Sequence, residues 1–444
     1  MSLKTVLPAK TIDYSGLVFL EPNIAALSNG SFAVQYEDFT DSNAVSSWVY
    51  NAQGQLVGGG PAQPSPIGAE GIGSIAALPG GGYAQAWEEE DDIFTAVYDA
   101  QGHQTSTAII ANGASTATTP YVAAAPNGGY VVAWSENLND IVIAFFNGAG
   151  QRITTPITVT NSPGTHGQFG FEDRPVTALS NGNVALAWGA GGDIFTAIYD
   201  SQGQLLLAPT NVTNAANVSA GNAHVVPLAN GRYALAWSAT ASNPAQTATW
   251  TAIYDAQGNQ IAAPKMVGTD GLVDIAPLSN GNYALIWGQT DVFTAIYNPD
   301  GQLVASPINV SNTPGLQDNA GKMAPLANGA YALTWVGAMA DNSTDIFTAA
   351  YSANGGQLVA PVNVSNSPGV VDAFARIAAQ PDGTWAVTWS SSDNPLYDQH
   401  LAVYHYVNDV SLNTILGPTR ISPGISVTDP SLRASRSCRT AASR

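Results

Sequence analysis

Apolar residues in this chain come in short runs, and clusters of Gly, Asn, Asp and Ser interrupt them roughly every 8 to 12 residues. The 3.6-residue period of an amphipathic helix is absent, so the pattern predicts strands and tight turns. The runs also repeat. The phrase LSNGNYALIW, Leu278 to Trp287, returns as LANGRYALAW, LSNGNVALAW and LANGAYALTW, and more loosely as LPGGGYAQAW, APNGGYVVAW, QPDGTWAVTW and LSNGSFAVQY. Its glycine falls at Gly30, Gly81, Gly128, Gly182, Gly231, Gly281, Gly329 and Gly383, a spacing of about 50 residues. A second phrase follows in the same units, as in DIFTAVYDAQG and DVFTAIYNPDG, and then a third, as in QLLLAPTNV and QLVASPINV.

Each unit reads as four strands. A run such as AHVVPL leads through an Asn-Gly or Asp-Gly turn into YALAW, because those turn residues tolerate positive φ. A variable loop leads to IFTAIY, and a second glycine turn leads to the fourth strand. Such a sheet is apolar on both faces and is covered only by stacking on its neighbours. Eight units of this size predict an all-β fold, a single β-propeller of eight four-stranded blades. An open solenoid would need special end caps, and the first and last units look ordinary.

Residues 17–427 carry the repeats. Residues 1–16 hold VLPAKTID, Val6 to Asp13, which resembles an isolated fourth strand able to close the ring, although ILGPTRIS, Ile415 to Ser422, offers the last unit the same strand. Residues 428–444 leave the pattern and read as a disordered basic tail. No charged segment followed by an apolar core, the pattern of a conventional secretion signal, opens the chain.

The repeat unit ALSNGNYALIW…DVFTAIYNPDGQLVASPINV resembles the propeller-type repeat of large bacterial secreted, calcium-associated, adhesin-like proteins, over roughly residues 17–422. That resemblance implies a secreted or cell-surface propeller, with Ca²⁺ as the ion to consider. The glycine-rich calcium nonapeptide of that family is absent from this sequence, and FTAIY stands where the family often has an Arg.

Composition narrows the partners. Thirty-two acids against 13 bases, net −19, argue against nucleic acid, which is held by Lys and Arg at its phosphates. No apolar run approaches the length of a membrane span, so membrane insertion is not expected. The single cysteine, Cys438, excludes an internal disulfide framework.

Comparing the units separates blade positions from variable ones. The Trp series (Trp87, Trp134, Trp188, Trp237, Trp287, Trp335 and Trp389) recurs nearly unchanged and belongs to packing between blades. An Asp opens the third strand in six units: Asp92, Asp140, Asp193, Asp291, Asp345 and Asp398. Equivalent carboxylates about 10 Å apart in neighbouring sheets cannot share one calcium, so these read as loop-end hydrogen-bond acceptors. Glu88, Glu89, Glu90, Asp91 and Asp92 form the one stretch dense enough in carboxylates for a cation.

The start of the first strand varies most: Asn23, Ser74, Tyr121, Pro175, His224, Asp274, Lys322 and Arg376. First strands are innermost in a propeller, so this set should ring the channel mouth and offer converging ligand contacts. On the same face, GTHGQFGFEDRP, Gly164 to Pro175, inserts His166, Phe169, Phe171, Glu172, Asp173 and Arg174. Aromatics beside carboxylates suit a sugar ring. The reading is therefore a binding propeller for a carbohydrate or similar surface polymer, and the low-Lys surface favours a neutral glycan. A polysaccharide hydrolase or lyase using Glu172, Asp173 and His166 is the alternative, and a protein-contact scaffold the third. His400 takes the place of Phe94 and Phe195, a packing position. The sequons at Asn211, Asn309 and Asn363 repeat one place in the unit, so a structural turn explains them better than glycosylation.

Overall fold

The computed structural model describes residues 22–421, apart from 39–43, 63–72, 90, 112–115, 138, 162–163, 168, 171–173, 214–217, 243–244, 313–316, 393–397 and 408–410. It contains eight antiparallel sheets, each with its four strands in sequence order. In blade 5 these strands are Val218–Pro227, Tyr233–Ser242, Ala245–Tyr254 and Gln260–Gly268. Every first strand packs against the first strands of both neighbouring blades, including blade 1 on blade 8, so the ring is closed. The protein is an eight-bladed β-propeller.

Ser411–Arg420, which contains most of ILGPTRIS, is the fourth strand of blade 8. VLPAKTID lies outside the described residues, as does the tail 428–444. Closure is side-chain work: Phe32, Val34 and Tyr36 of blade 1 pack with Ala386, Leu401 and Val403 of blade 8. The Gln380 amide donates to the Leu27 and Ser31 carbonyls at 3.1 and 2.8 Å across the same seam.

The core lies between blades, as eight apolar layers that each join two neighbouring sheets. The Trp series is buried in them. Two sequence signatures meet here. The aromatic at the start of the second strand hydrogen-bonds to the hydroxyl in the third strand of the preceding blade: Thr95 donates to Tyr130, Trp385 donates to Thr348, and in the other pairs either hydroxyl can donate. The pairs are Tyr83–Ser47, Tyr130–Thr95, Tyr233–Thr196, Tyr283–Thr251, Tyr331–Thr294 and Trp385–Thr348, at 2.8 to 3.4 Å. In the two remaining seams both members are apolar: Val184 with Ile143, and Phe32 with Leu401. A buried hydroxyl needs a partner, so the two positions change together.

In blades 5 and 7 the Asn-Gly turn places both residues in the left-handed region: Asn230 and Gly231 at φ 60° and 73°, Asn328 and Gly329 at 57° and 75°. Elsewhere only the glycine is left-handed, and the Asn side chain instead accepts the backbone N–H two residues on, as at Asn29, Asn181 and Asn280. The exposed large apolar residues, among them Leu205, Leu206, Leu303 and Val304, fall mostly on outer strands. In blades 4 to 8 those strands carry a proline (Pro209, Pro264, Pro307, Pro361 and Pro418) at a register shift opposite a third-strand alanine. A proline at a bulge interrupts the exposed edge and hinders edge-to-edge pairing.

Candidate site at the channel mouth

A cavity of about 480 Å³ opens at the centre of the ring, with wall residues from all eight blades. Of the variable first-strand set, Asn23, Ser74, Tyr121, Pro175, Lys322 and Arg376 line it. Arg174, from the inserted loop, lines it as well.

Register shifts interrupt four of the first strands. They fall just before His224, Asp274 and Arg376, between Gly221 and His224, Leu272 and Asp274, and Ala373 and Arg376, and around Lys322, between Ala320 and Met323. Three non-glycine residues adopt positive φ two positions ahead of a variable first-strand residue. They are Thr119 before Tyr121, Asn222 before His224 and Phe374 before Arg376, at 51°, 51° and 56°. One place before Lys322, a Cβ on Gly321 would run into the Thr334 carbonyl oxygen. Bulges of this kind redirect a side chain out of the pleat, and left-handed non-glycine residues concentrate at functional sites.

His224 and Asp274 depart from the expected rim. They are 1% and 0% exposed and sit behind the wall, where they form a buried ionic cluster instead of contacting the opening. The Arg174 Nε lies 2.9 Å from Asp274 Oδ1, His224 Nδ1 lies 3.7 Å from the same oxygen, and the Met323 N–H donates to Asp274 Oδ2 at 3.0 Å. Arg174 is itself docked, since its carbonyl accepts the Val225 N–H at 2.8 Å. Burial alone would raise the Asp274 carboxyl, but the Arg174 guanidinium, His224 and Lys322 outweigh it and hold the group at about 2. Burial pushes His224 below its ordinary 6.5, with Lys322 and Arg174 adding to the effect and Asp274 opposing it. His224 is therefore a neutral imidazole near neutral pH, and Asp274 a carboxylate. Lys322 is only 6% exposed, yet it lines the cavity.

The inserted loop is anchored across blades 3 and 4. The Tyr121 hydroxyl donates to the Gly170 carbonyl at 2.6 Å, the Phe169 N–H to Ser135 Oγ at 2.9 Å, and Trp188 Nε1 to the Thr165 carbonyl at 2.9 Å. Phe169 was expected to face a ligand. It is instead 3% exposed, edge-on to Tyr121 at 5.7 Å, and packs in the layer between the blades. His166 is exposed and pairs with Asp140 at 2.9 Å, away from the residues that line the cavity. Phe171, Glu172 and Asp173 lie outside the described residues.

The third-strand aspartates accept from the end of the fourth strand. Asp193 takes Asn211 Nδ2 at 2.9 Å and Thr213 Oγ1 at 2.7 Å, and Asp345 takes Asn363 Nδ2 at 2.6 Å and Ser365 Oγ at 3.3 Å. Thr213 and Ser365 in turn accept the Ile194 and Ile346 N–H groups. In these two units the Asn-Val-Ser/Thr is thus the other half of a clasp that the aspartate begins.

In the acidic stretch, Glu88 accepts the Thr119 N–H at 3.2 Å, Glu89 is 2% exposed, and Asp91 is exposed at φ 68°. Neighbouring strand residues face opposite sides, which separates Glu88 from Glu89. Glu90 lies outside the described residues, and among the described ones no group of three His, Cys, Asp or Glu could hold a metal. His400 stacks on Trp389 at 5.4 Å, as Phe94 does on Trp87, which is a packing role. No helix among the described residues is long and apolar enough to cross a membrane.

No family model and no curated protein matches the chain. Solved structures that resemble it include the polysaccharide lyase Uly1, at 11% identity and TM-score 0.44, covering 80% of this chain and 93% of that one. A eukaryotic initiation factor aligns at 10% identity and TM-score 0.46, covering 94% and 91%. A puromycin-hydrolyzing peptidase of Mycobacterium tuberculosis aligns at 11% and 0.46, covering 87% and 62%. Their activities differ widely, and at this level of likeness none of them transfers to this chain.

Proposed function

We propose that this protein is a non-enzymatic binding propeller that recognises a carbohydrate or similar polymer, outside the cell or at its surface, with the channel mouth as its site. One observation carries the reading: side chains of different chemistry, one from each of several otherwise repetitive blades, converge on a single cavity. Tyr121 supplies an aromatic face, Asn23 and Ser74 supply neutral hydrogen-bonding groups, and apolar residues such as Ile24 and Val226 fill the wall between them. Concave sites with a few converging polar groups on an apolar wall suit small ligands and polymer ends.

Hydrolysis is less well supported. It needs two carboxyls about 5 to 9.5 Å apart, one with a raised pKa. The described residues that line the cavity include no carboxylate, and Asp274 behind them is held low and ion-paired. Incubation with immobilised glycans, with calcium and then with EDTA, tests the reading. Retention on a defined sugar without product release is the expected result. Release of shortened product would make the protein an enzyme, and loss of retention in EDTA would bring a calcium ion into the site.

A further inference from the structure

The channel wall is made of main chain as well as side chains. Each first strand is the edge strand of its sheet, so alternate residues turn their N–H and C=O groups away from the second strand and toward the channel. The Leu228 N–H bonds the Arg232 carbonyl at the hairpin, which sets the alternation: the main chain of Pro227 and Val225 faces inward and that of Val226 faces the second strand. The same hairpin bond, and so the same alternation, recurs in every blade. Inward-level side chains such as Val122, Val225 and Ile377 pack in the layers between blades, which leaves the strand edges themselves as wall. On the side of blades 5 to 7 these edges are used or lack donors. The Val225 N–H donates to the Arg174 carbonyl at 2.8 Å, the Met323 N–H to Asp274 Oδ2 at 3.0 Å, and the Ile275 carbonyl accepts Arg174 Nη1 at 3.4 Å. Lower on the same strands Pro227, Pro277 and Pro325 have no N–H to offer. On the other side the Val122 N–H donates to Ser74 Oγ at 3.1 Å. The N–H groups of Ile24, Ile75 and Ile377, and lower down those of Ala124 and Ala178, face the cavity without a hydrogen bond to another described residue.

The cavity is also closed all round, since every blade contributes to its wall, and it follows the first strands from Tyr121 down to Ala124. At the rise of a strand that is a depth of about 10 Å. A polymer can lie across an open groove, but a pit ringed on every side admits it only by an end. Resting on the reading of the channel mouth as a glycan site, we infer that the site takes a saccharide chain by its end, the terminal hydroxyls meeting the inward N–H and C=O groups of blades 1 to 4 and 8. A hydroxyl donates and accepts at once, so it suits a wall that offers both kinds of group. The five free N–H groups come from five different strands, which fits hydroxyls set round a sugar ring. An extended peptide instead pairs along a single edge.

The test is titration calorimetry of the full chain with linear malto-, cello-, xylo- and manno-oligosaccharides, from disaccharide to octasaccharide, with the parent polysaccharides, and with a serine–threonine octapeptide. In a series that binds, one protein should bind per chain at every length, the polysaccharide included, and affinity should stop rising once the chain fills the cavity. Ala124→Pro and Ala178→Pro each remove one inward N–H by placing the residue that Pro227 and Pro277 supply at the same level of blades 5 and 6. Each should weaken binding roughly fivefold, with thermal melts reporting whether the variant is folded. Several proteins bound per chain, their number growing with chain length, would overturn this inference and leave the glycan reading standing. Unchanged affinity in the folded variants would place the contacts away from these strand edges and overturn it as well. Should a variant fail to fold, the stoichiometry of the wild type still decides. Failure of every saccharide series to bind, or binding of the octapeptide in their place, would overturn this inference and the glycan reading together.

Discussion

Asp274 is a carboxylate with no exposed surface, and its charge persists because three blades contribute to holding it. Removing one partner from a buried charge cluster costs more than the cluster contributes in total. Asp274→Asn should therefore destabilise the fold by about 3 kcal/mol, read as a lower unfolding midpoint in denaturant. The pH dependence follows from the same residues. The folded pKa of Asp274, about 2, lies below its ordinary 3.8, so its contribution is complete above pH 4 and is lost as pH falls toward 2. It amounts to something on the order of 2 kcal/mol. His224 is also depressed, below 6.5, so the unfolded chain takes up a proton there that the folded chain refuses. Stability should decline in two stages, from pH 6.5 downward and again below pH 4. Denaturant melts of the wild type and of His224→Gln at several pH values check this, since the variant should lack the upper stage. At this scale the sequence disclosed which positions vary but not which way they face. His224 and Asp274 look like their rim neighbours in the alignment of units, and only the bulges and the Arg174 contact take them behind the wall.

Between elements, the repeat phrases are contact rules. YALAW begins with Tyr because FTAIY of the previous blade presents a buried hydroxyl, and both positions turn apolar together at two seams. Tyr233→Phe should leave Thr196 without the Tyr233 hydroxyl, at a cost of about 1 kcal/mol, and Thr196→Val should cost a similar amount. The double variant should be less damaged than the sum of the singles, because an apolar pair is what two natural seams use. A double-mutant cycle of unfolding free energies measures the difference, and strict additivity would show that the two groups do not interact. The Asp clasp is a second such rule. Asn211 and Asn363 are sequon asparagines whose amide nitrogens already donate to Asp193 and Asp345. Expressed in a glycosylating host, both should remain unmodified by peptide mass spectrometry, and Asp345→Ala should weaken that protection at Asn363. The turns, the four-strand unit and the Trp layers were legible from spacing alone. The clasp and the seam pairing were not, because their partners are about 20 to 40 residues apart in sequence and stand out only when neighbouring strands are laid side by side.

At the scale of the whole molecule, a repeat architecture makes the ring stable and leaves its centre free to differ from blade to blade. The blade count and the inner position of the first strands followed from the period of about 50 residues. The ion pair of Arg174 with Asp274 did not, since Arg174 lies one place before its aligned position. The central claim is that the channel mouth is where this protein binds. A crystal structure with an oligosaccharide retained from the glycan panel tests it most directly. The account predicts sugar density in the cavity and a sugar face against Tyr121. A saccharide bound on the outer strands or on the opposite face, with the channel empty, would contradict it.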